Sequence, residues 1–329
     1  MKAGTNAPDP SAPIGVLYAN LGSPAEPTPR AVRAFLDEFL SDPLVVDLNR
    51  YLWWLVRKLV VLPIRAPRSA ELYRRIWSDE GSPLLVHSRR FAEALAHVLG
   101  PGFRVELAMR YGNPSIAAGL GALVQAGCVR VVLFTAFPQG SRATTGTIEP
   151  EVRRALATLS RPPELARVPP YFADAGFVAA MAERVRAAGA AEHVIFSFHG
   201  LPVRFVENGD PYREHCEATA RSLAAELGLA SGSWTLAYQS RFGRERWLEP
   251  DVAVVAPALL GAGRRVLLAA PSFTTDCLET LEELDLRLRE ACAPRGGELV
   301  FVPSLNDQPA WVHAAAELVR AAGMDHSIR

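Results

Sequence analysis

The chain has 329 residues, 49% of them hydrophobic, and its 35 basic and 35 acidic side chains cancel to a formal net charge of +0. That length exceeds one ordinary core, so two domains are expected, and the charge balance excludes a whole-molecule attraction for nucleic acid. Four cysteines, Cys128, Cys216, Cys277 and Cys292, stand far apart with no C-x-x-C pair, which excludes a disulfide scaffold and a structural zinc site and points to a reducing, cytoplasmic setting.

Residues 1–13 are polar, contain proline and lack an apolar run, so a disordered tail is expected rather than a signal peptide. From Ile14 an apolar strand runs to Asn20 and a Gly-Ser-Pro turn. Thr28 and Pro29 fit an N-cap and first helical position, and Val32, Phe35, Leu36, Phe39 and Leu40 follow at helical spacing. Tyr51 to Ile64 is the most apolar stretch, but it is too short to cross a bilayer and is interrupted by Arg57 and Lys58. Between Arg30 and Arg75, nine basic residues oppose five acidic ones. Tryptophan beside positive charge suits a membrane surface, and the same pattern suits a helix whose aromatic face packs inside.

A helical pattern occupies Leu84 to Leu99, with strand signals at Arg104 to Arg110 and Val129 to Phe137, each stopping at polar residues and glycine. Strands separated by helical stretches of this length indicate parallel βαβ units. Pro162, Pro163, Pro169 and Pro170 read as a linker, after which the pattern restarts. A helix at Phe177 to Ala187 precedes strands at Val194 to His199, Ser233 to Tyr238, Arg264 to Ala270 and Leu299 to Val302. The layout is α/β, with two similar halves, 14–168 and 169–329, and a cleft between them. Neither Gly119-x-Gly121 nor Gly261-x-Gly263 is a dinucleotide fingerprint, since one lies in a helical pattern and the other precedes its strand.

Two stretches carry chemistry. In Val194-Ile-Phe-Ser-Phe-His199-Gly-Leu-Pro202 a buried strand delivers a histidine to its carboxyl end, where ligands bind in α/β sheets. The same histidine also fits a strand cap made through a backbone hydrogen bond. In Pro271-Ser-Phe-Thr-Thr-Asp276-Cys-Leu-Glu279-Thr-Leu-Glu-Glu283 a strand passes into a helix. Asp276 and Glu279 fit an N-cap and a capping box, and 3.6-residue winding puts Leu281, Leu284 and Leu288 opposite Glu279, Glu283 and Glu290. If His199 and that carboxylate column share a cleft, the site suits a divalent metal and proton transfer.

At these residues the chain resembles ferrochelatases of the bacterial type, from about Ile14 to about Val319. The resemblance rests on Asn20-Leu-Gly-Ser-Pro24, Tyr73-Arg-Arg-Ile, Gly81-Ser-Pro-Leu, Pro138-Gln with Thr144-Thr-Gly146, Ser197-Phe-His-Gly-Leu-Pro202, Tyr238-Gln-Ser-Arg-Phe-Gly243 with Trp247, and Asp276-Cys-Leu-Glu-Thr-Leu-Glu-Glu283. It implies two Rossmann-like domains, the second carrying a metal site, and insertion of ferrous iron into a porphyrin, protoporphyrin IX favoured, at the last stage of haem synthesis. By the same carry-over His199 is the proton acceptor and metal-site ligand with Glu279, Cys277 and Glu283 lie on a metal or proton path, and Asn20, Arg75, Arg110, Tyr111, Ser240 and Trp247 line the porphyrin. The apolar lip at about 30–75 matches the part of the family that takes a greasy substrate. It implies a monomer with peripheral contact at the inner face of the membrane. Ferrous iron is then substrate rather than cofactor, and since no cysteine follows Cys292 no iron–sulfur cluster is expected.

The chain departs from the family where Cys277 replaces the histidine of some members, and where Arg287 replaces a further carboxylate of the column. The competing expectations are a coproporphyrin ferrochelatase and a non-enzymatic haem carrier. A nicotinamide dehydrogenase is disfavoured by the missing glycine fingerprint.

Overall fold

The computed structural model describes residues 12–324 apart from 47 and 244, and the tail expected over residues 1–13 lies largely outside them. Among the described residues, eight strands form two parallel sheets of four. The first contains β1 (Ile14–Gly22), β2 (Phe103–Tyr111), β3 (Arg130–Thr135) and β4 (Glu164–Arg167), in the order β2-β1-β3-β4. The second contains β5 (His193–His199), β6 (Trp234–Gln239), β7 (Arg265–Ala269) and β8 (Glu298–Val302), in the order β6-β5-β7-β8. The two orders are the same topology repeated.

Helices cover the sheets, so the strands are near-continuous apolar runs, as sheets buried on both faces require. The stretch between Pro162 and Pro170, read above as a linker, contains β4, which pairs with β3 over Arg130 to Leu133. Four residues are too few to display a strand period, and a strand at a sheet edge tolerates flanking prolines.

The last helix, Pro309–Met324, returns to the first half and packs on helix Pro83–Leu99 and on β3. Trp311 on that helix stacks on Phe91 and Tyr171, with ring centroids 5.8 and 5.5 Å apart. Tyr18, Phe134 and Phe196 belong to the same buried cluster, so one apolar core is shared by both sheets.

The carboxyl edges of the two sheets meet. Thr274, after β7, donates to the carbonyl of Ala136, just beyond β3, at 2.9 Å. Tyr18 of β1 lies 3.4 Å from Thr275 through its hydroxyl, and Gln139 donates to Thr219 at 2.9 Å. Ligand sites of open α/β sheets form at such edges, where strand order reverses. The reversals here fall between β1 and β3 and between β5 and β7.

Over one end lies the lip. Helices Arg50–Val56 and Leu62–Ile76 are joined by a π-helical turn, Arg57–Val61. Pro63 has no N–H for the carbonyl four residues before it, and the chain widens there to i→i+5 bonding, with Leu62 N–H on the Arg57 carbonyl. Val32, Ala66, Ala70 and Tyr73 make a small separate core under the lip. Its outer side is bare: Tyr51 is 88% exposed and Leu59 71%, with Leu52, Trp54, Val60 and Ile64 also exposed. The alternative of an aromatic face packed inside is therefore wrong for this segment; of its tryptophans, Trp53 is half-buried and bonds the Leu40 carbonyl at 2.7 Å.

Candidate active site

His199 is the last residue of β5, at the reversal between β5 and β7, with its backbone N–H on Ser272 Oγ at 3.1 Å. Its Nδ1 lies 2.7 Å from the Gly200 carbonyl. A carbonyl only accepts, so Nδ1 carries a proton, and of the two neutral tautomers this contact selects the one whose Nε2 is bare. The strand-cap arrangement is thus present, and it leaves the other nitrogen available as a base or metal ligand. Gly200 is required for space: a Cβ would sit 2.7 Å from the Gln239 carbonyl oxygen and 3.1 Å from Trp247 Cε3.

Beyond β7 the chain enters a π-helix, Leu278–Leu288, which corrects two expectations. Cys277, rather than Asp276, is the N-cap: its sulfur accepts from the Thr280 N–H, and Thr280 Oγ1 accepts from the Cys277 N–H at 2.9 Å. Asp276 is buried and instead anchors the loop, accepting from Ser304 N–H (3.1 Å), Thr280 Oγ1 (3.0 Å) and Asn306 Nδ2 (2.8 Å). The i→i+5 winding also replaces the 3.6-residue face. Thr280, Leu284 and Leu288 form the buried line, Leu281 is only half-buried, Glu282 points inward at 1% exposure, and Glu290 falls beyond the π-helix.

The end of β6 grips this helix at two turns. Gln239, which pairs with His199 in the sheet, donates through Nε2 to the Glu279 carbonyl at 2.9 Å. Ser240, held at φ 63°, donates to Glu283 from its N–H (2.8 Å) and hydroxyl (2.6 Å). Both Glu283 carboxylate oxygens are thereby occupied, and Arg287 Nη2 stands 3.9 Å away. His199 and Glu279 are brought to one edge, linked through Gln239.

Glu279 is half-buried, beside the buried Cys277 and Tyr73. Burial, then the Glu279 charge, raises the Cys277 thiol well above its ordinary range. Burial and the same carboxylate also raise the Tyr73 phenol. Tyr73 packs beside Leu278, at the start of the π-helix. Among the described residues, no group of three or more His, Cys, Asp or Glu side chains is placed to hold a metal ion.

All the remaining candidates but Trp247 are already engaged. Arg75 pairs with Glu282 at 2.8 Å and Glu290 at 2.6 Å. Arg110 and the Tyr111 hydroxyl both donate to Asp42 Oδ2, and Arg110 also bonds the Thr147 carbonyl at 2.9 Å. Burial raises the Tyr111 phenol, reinforced by Asp42. Asp42, Arg110 and Tyr111 line a cavity of about 620 Å³ with Arg50, Glu151 and Arg154. Asn20 is buried, donating to Ser88 Oγ at 3.0 Å and accepting from Leu21 N–H at 2.8 Å. Trp247 lies over Gly200, and its buried Nε1 has no hydrogen-bond partner in the protein.

Sequence reasoning missed Tyr73, Gln239, Glu282 and Asp42 as parts of this neighbourhood. Their signals were weak: each stood inside a longer motif or patch, with partners remote in sequence.

Two metal-bound structures share this architecture. SirB from Bacillus subtilis with Fe3+ superposes with a TM-score of 0.59 at 12% identity, covering 95% of this chain and 96% of that one. The sirohydrochlorin chelatase SirB in complex with cobalt gives 0.56 at 13% identity, covering 94% and 95%. The fold is therefore that of the two-domain chelatases. The family model for ferrochelatase matches residues 13–322. Ferrochelatase of Nitrosococcus oceani is 45% identical, covering 94% of this chain and 87% of that protein, and ferrochelatase of Vibrio atlanticus is 42% identical, covering 93% and 97%. The chain belongs to the ferrochelatase family. It is a metal-chelatase enzyme of haem synthesis, inserting metal into a porphyrin. No helix among the described residues is long and apolar enough to cross a membrane.

Proposed function

We propose that the enzyme inserts ferrous iron into protoporphyrin IX, with His199 Nε2 accepting pyrrole protons and contacting the metal, and Glu279 as its partner. The observation that carries this reading is the Nδ1 contact with the Gly200 carbonyl, which fixes the tautomer needed for either task. Two inner N–H protons must leave a porphyrin as a divalent ion enters, and the ion must shed water. A neutral imidazole and a carboxylate set at the same sheet edge serve those needs. Iron is substrate here, and the reading invokes no iron–sulfur cluster.

Glu283 takes a supporting place in this reading, since Ser240 holds both of its oxygens. Arg75 and Arg110 are held by acidic partners rather than offered to extra substrate carboxylates, which favours protoporphyrin over coproporphyrin. The bare apolar lip supports entry of that porphyrin from a membrane surface, where the protein would sit as a peripheral monomer.

The test is iron insertion by His199→Ala and Glu279→Gln, with both porphyrins as substrates. Loss of turnover in both variants with porphyrin binding retained is the expected result; wild-type turnover in both overturns the assignment. A non-enzymatic carrier would bind haem while consuming neither substrate.

A further inference from the structure

We propose that Gln239 is a positioning residue that sets the separation of the His199 imidazole from the Glu279 carboxylate. Gln239 is 1% exposed, and both ends of its amide are used. Oε1 accepts from Ser197 Oγ at 3.0 Å, on the strand that ends in His199, and Nε2 donates to the Glu279 carbonyl at 2.9 Å, in the first turn of the π-helix. Its backbone is joined to the same strand end, with Gly200 N–H on the Gln239 carbonyl at 2.8 Å. One side chain is thus tied on one side to the segment that carries the imidazole and on the other to the residue that carries the carboxylate.

The next residue does the parallel job one turn further on. Ser240 sits in the left-handed region, at φ 63°, unfavourable for a non-glycine residue, and there both its N–H and its hydroxyl reach Glu283. A π-helix has poorer internal packing than an α-helix and depends on such outside contacts to keep its winding. Only an amide combines a donor for the Glu279 carbonyl with an acceptor for Ser197 in one rigid plane. Replacement by methionine keeps the length and removes both. Replacement by glutamate keeps the acceptor, and supplies a donor only while the carboxyl is protonated.

The inference rests on the assignment of His199 and Glu279 above, so those variants accompany the test. Steady-state iron insertion, porphyrin binding by fluorescence and thermal unfolding are measured for Gln239→Met, Gln239→Glu and Ser197→Ala. For Gln239→Met, kcat is expected to fall by about 10²-fold, as for a reacting group displaced by ~1 Å. Porphyrin affinity should stay within about threefold of wild type, because no group that meets the macrocycle is removed. Ser197→Ala, the gentler change, should lower kcat by about fivefold, the worth of one neutral hydrogen bond. The activity of Gln239→Glu relative to wild type should decline as pH rises and the donor is lost, while that of Gln239→Met stays flat.

Wild-type kcat in Gln239→Met, or turnover and porphyrin binding falling together in all three variants with no pH signature, overturns the inference. If His199→Ala and Glu279→Gln lose turnover while the Gln239 variants keep it, only the positioning role fails. If the His199 and Glu279 variants turn over normally, the reading beneath it fails as well.

Discussion

Arg75, on the lip helix, donates to Glu282, inside the π-helix, at 2.8 Å across 207 positions of chain. Glu282 is 1% exposed and Arg75 37%, so the bond joins a solvated cation to a buried carboxylate. Arg287 supplies a second, weaker contact to Glu282 at 3.2 Å. The lip is therefore tied to the helix that carries Glu279.

Arg75→Met should cost about 2 kcal/mol in urea unfolding, less than for a wholly buried pair because Arg75 is partly solvated and Arg287 remains. Glu282→Gln in the Arg75→Met background should recover part of that loss, since the stranded charge is gone. A double variant no more stable than Arg75→Met would show that Glu282 is not the group left unpaired.

Alkaline conditions should destabilise the fold. Burial raises the thiols of Cys277 and Cys216 and the phenols of Tyr73, Tyr171 and Tyr212 well above their ordinary values. Below about pH 8 the folded and unfolded chains both keep these protons, and this contribution is flat. As pH rises through the unfolded thiol pKa of about 8.5 and phenol pKa of about 10, the unfolded chain releases protons that the folded one retains. Unfolding free energy then falls, by up to about 1.4 kcal/mol per pH unit for each group. Urea titrations at neutral and strongly alkaline pH check the sign.

The same burial governs thiol reactivity. All four cysteines are free and buried. A disulfide reagent at neutral pH should label essentially none of them in the native protein and all four after denaturation. Rapid labelling of Cys277 in the native state would mean that the first turn of the π-helix opens.

Much of this architecture is legible in the sequence, for identifiable reasons. Strands such as β5 and β7 are apolar runs closed by glycine or proline, so their ends and the placing of His199 follow from local pattern. β4 is hidden because four residues between prolines carry no period. The π-helix is hidden because the groups that hold its first turns, Gln239 on the Glu279 carbonyl and Ser240 on the Glu283 carboxylate, lie some forty positions earlier in the chain. Asp276 imitates an N-cap by composition, while its actual partners at Ser304 and Asn306 are assembled only by tertiary structure. Family resemblance supplies Arg75 and Arg110 as candidates, but not the acids that hold them.

The lip offers a surface that stability does not require. Leu52 and Leu59 are 63% and 71% exposed, and helix Arg50–Val56 has no buried residue. Leu52→Ser with Leu59→Ser should change unfolding free energy by no more than about 0.5 kcal/mol per site. Binding to phospholipid vesicles in sedimentation should drop sharply in that variant. Equal binding by wild type and variant would remove the lip from the membrane-surface reading.

Gly200 and Gly121 make opposite predictions for the same substitution. An alanine Cβ at Gly200 meets the Gln239 carbonyl oxygen at 2.7 Å and the Trp247 ring at 3.1 Å, whereas at Gly121, in helix Ile116–Gln125, it meets nothing within 4 Å. The Gln239 oxygen cannot retreat without weakening its bond from the Gly200 N–H. Gly200→Ala should therefore cost about 1–3 kcal/mol by overpacking. It should also lower turnover, because the displaced Gly200 carbonyl is the acceptor that sets the His199 tautomer. Gly121→Ala should stabilise by about 0.4–1 kcal/mol through the unfolded chain, with turnover unchanged. Thermal unfolding and iron insertion measured side by side decide the matter: if Gly200→Ala matches wild type in both, the close packing of β5, β6 and Trp247 around His199 does not govern the site.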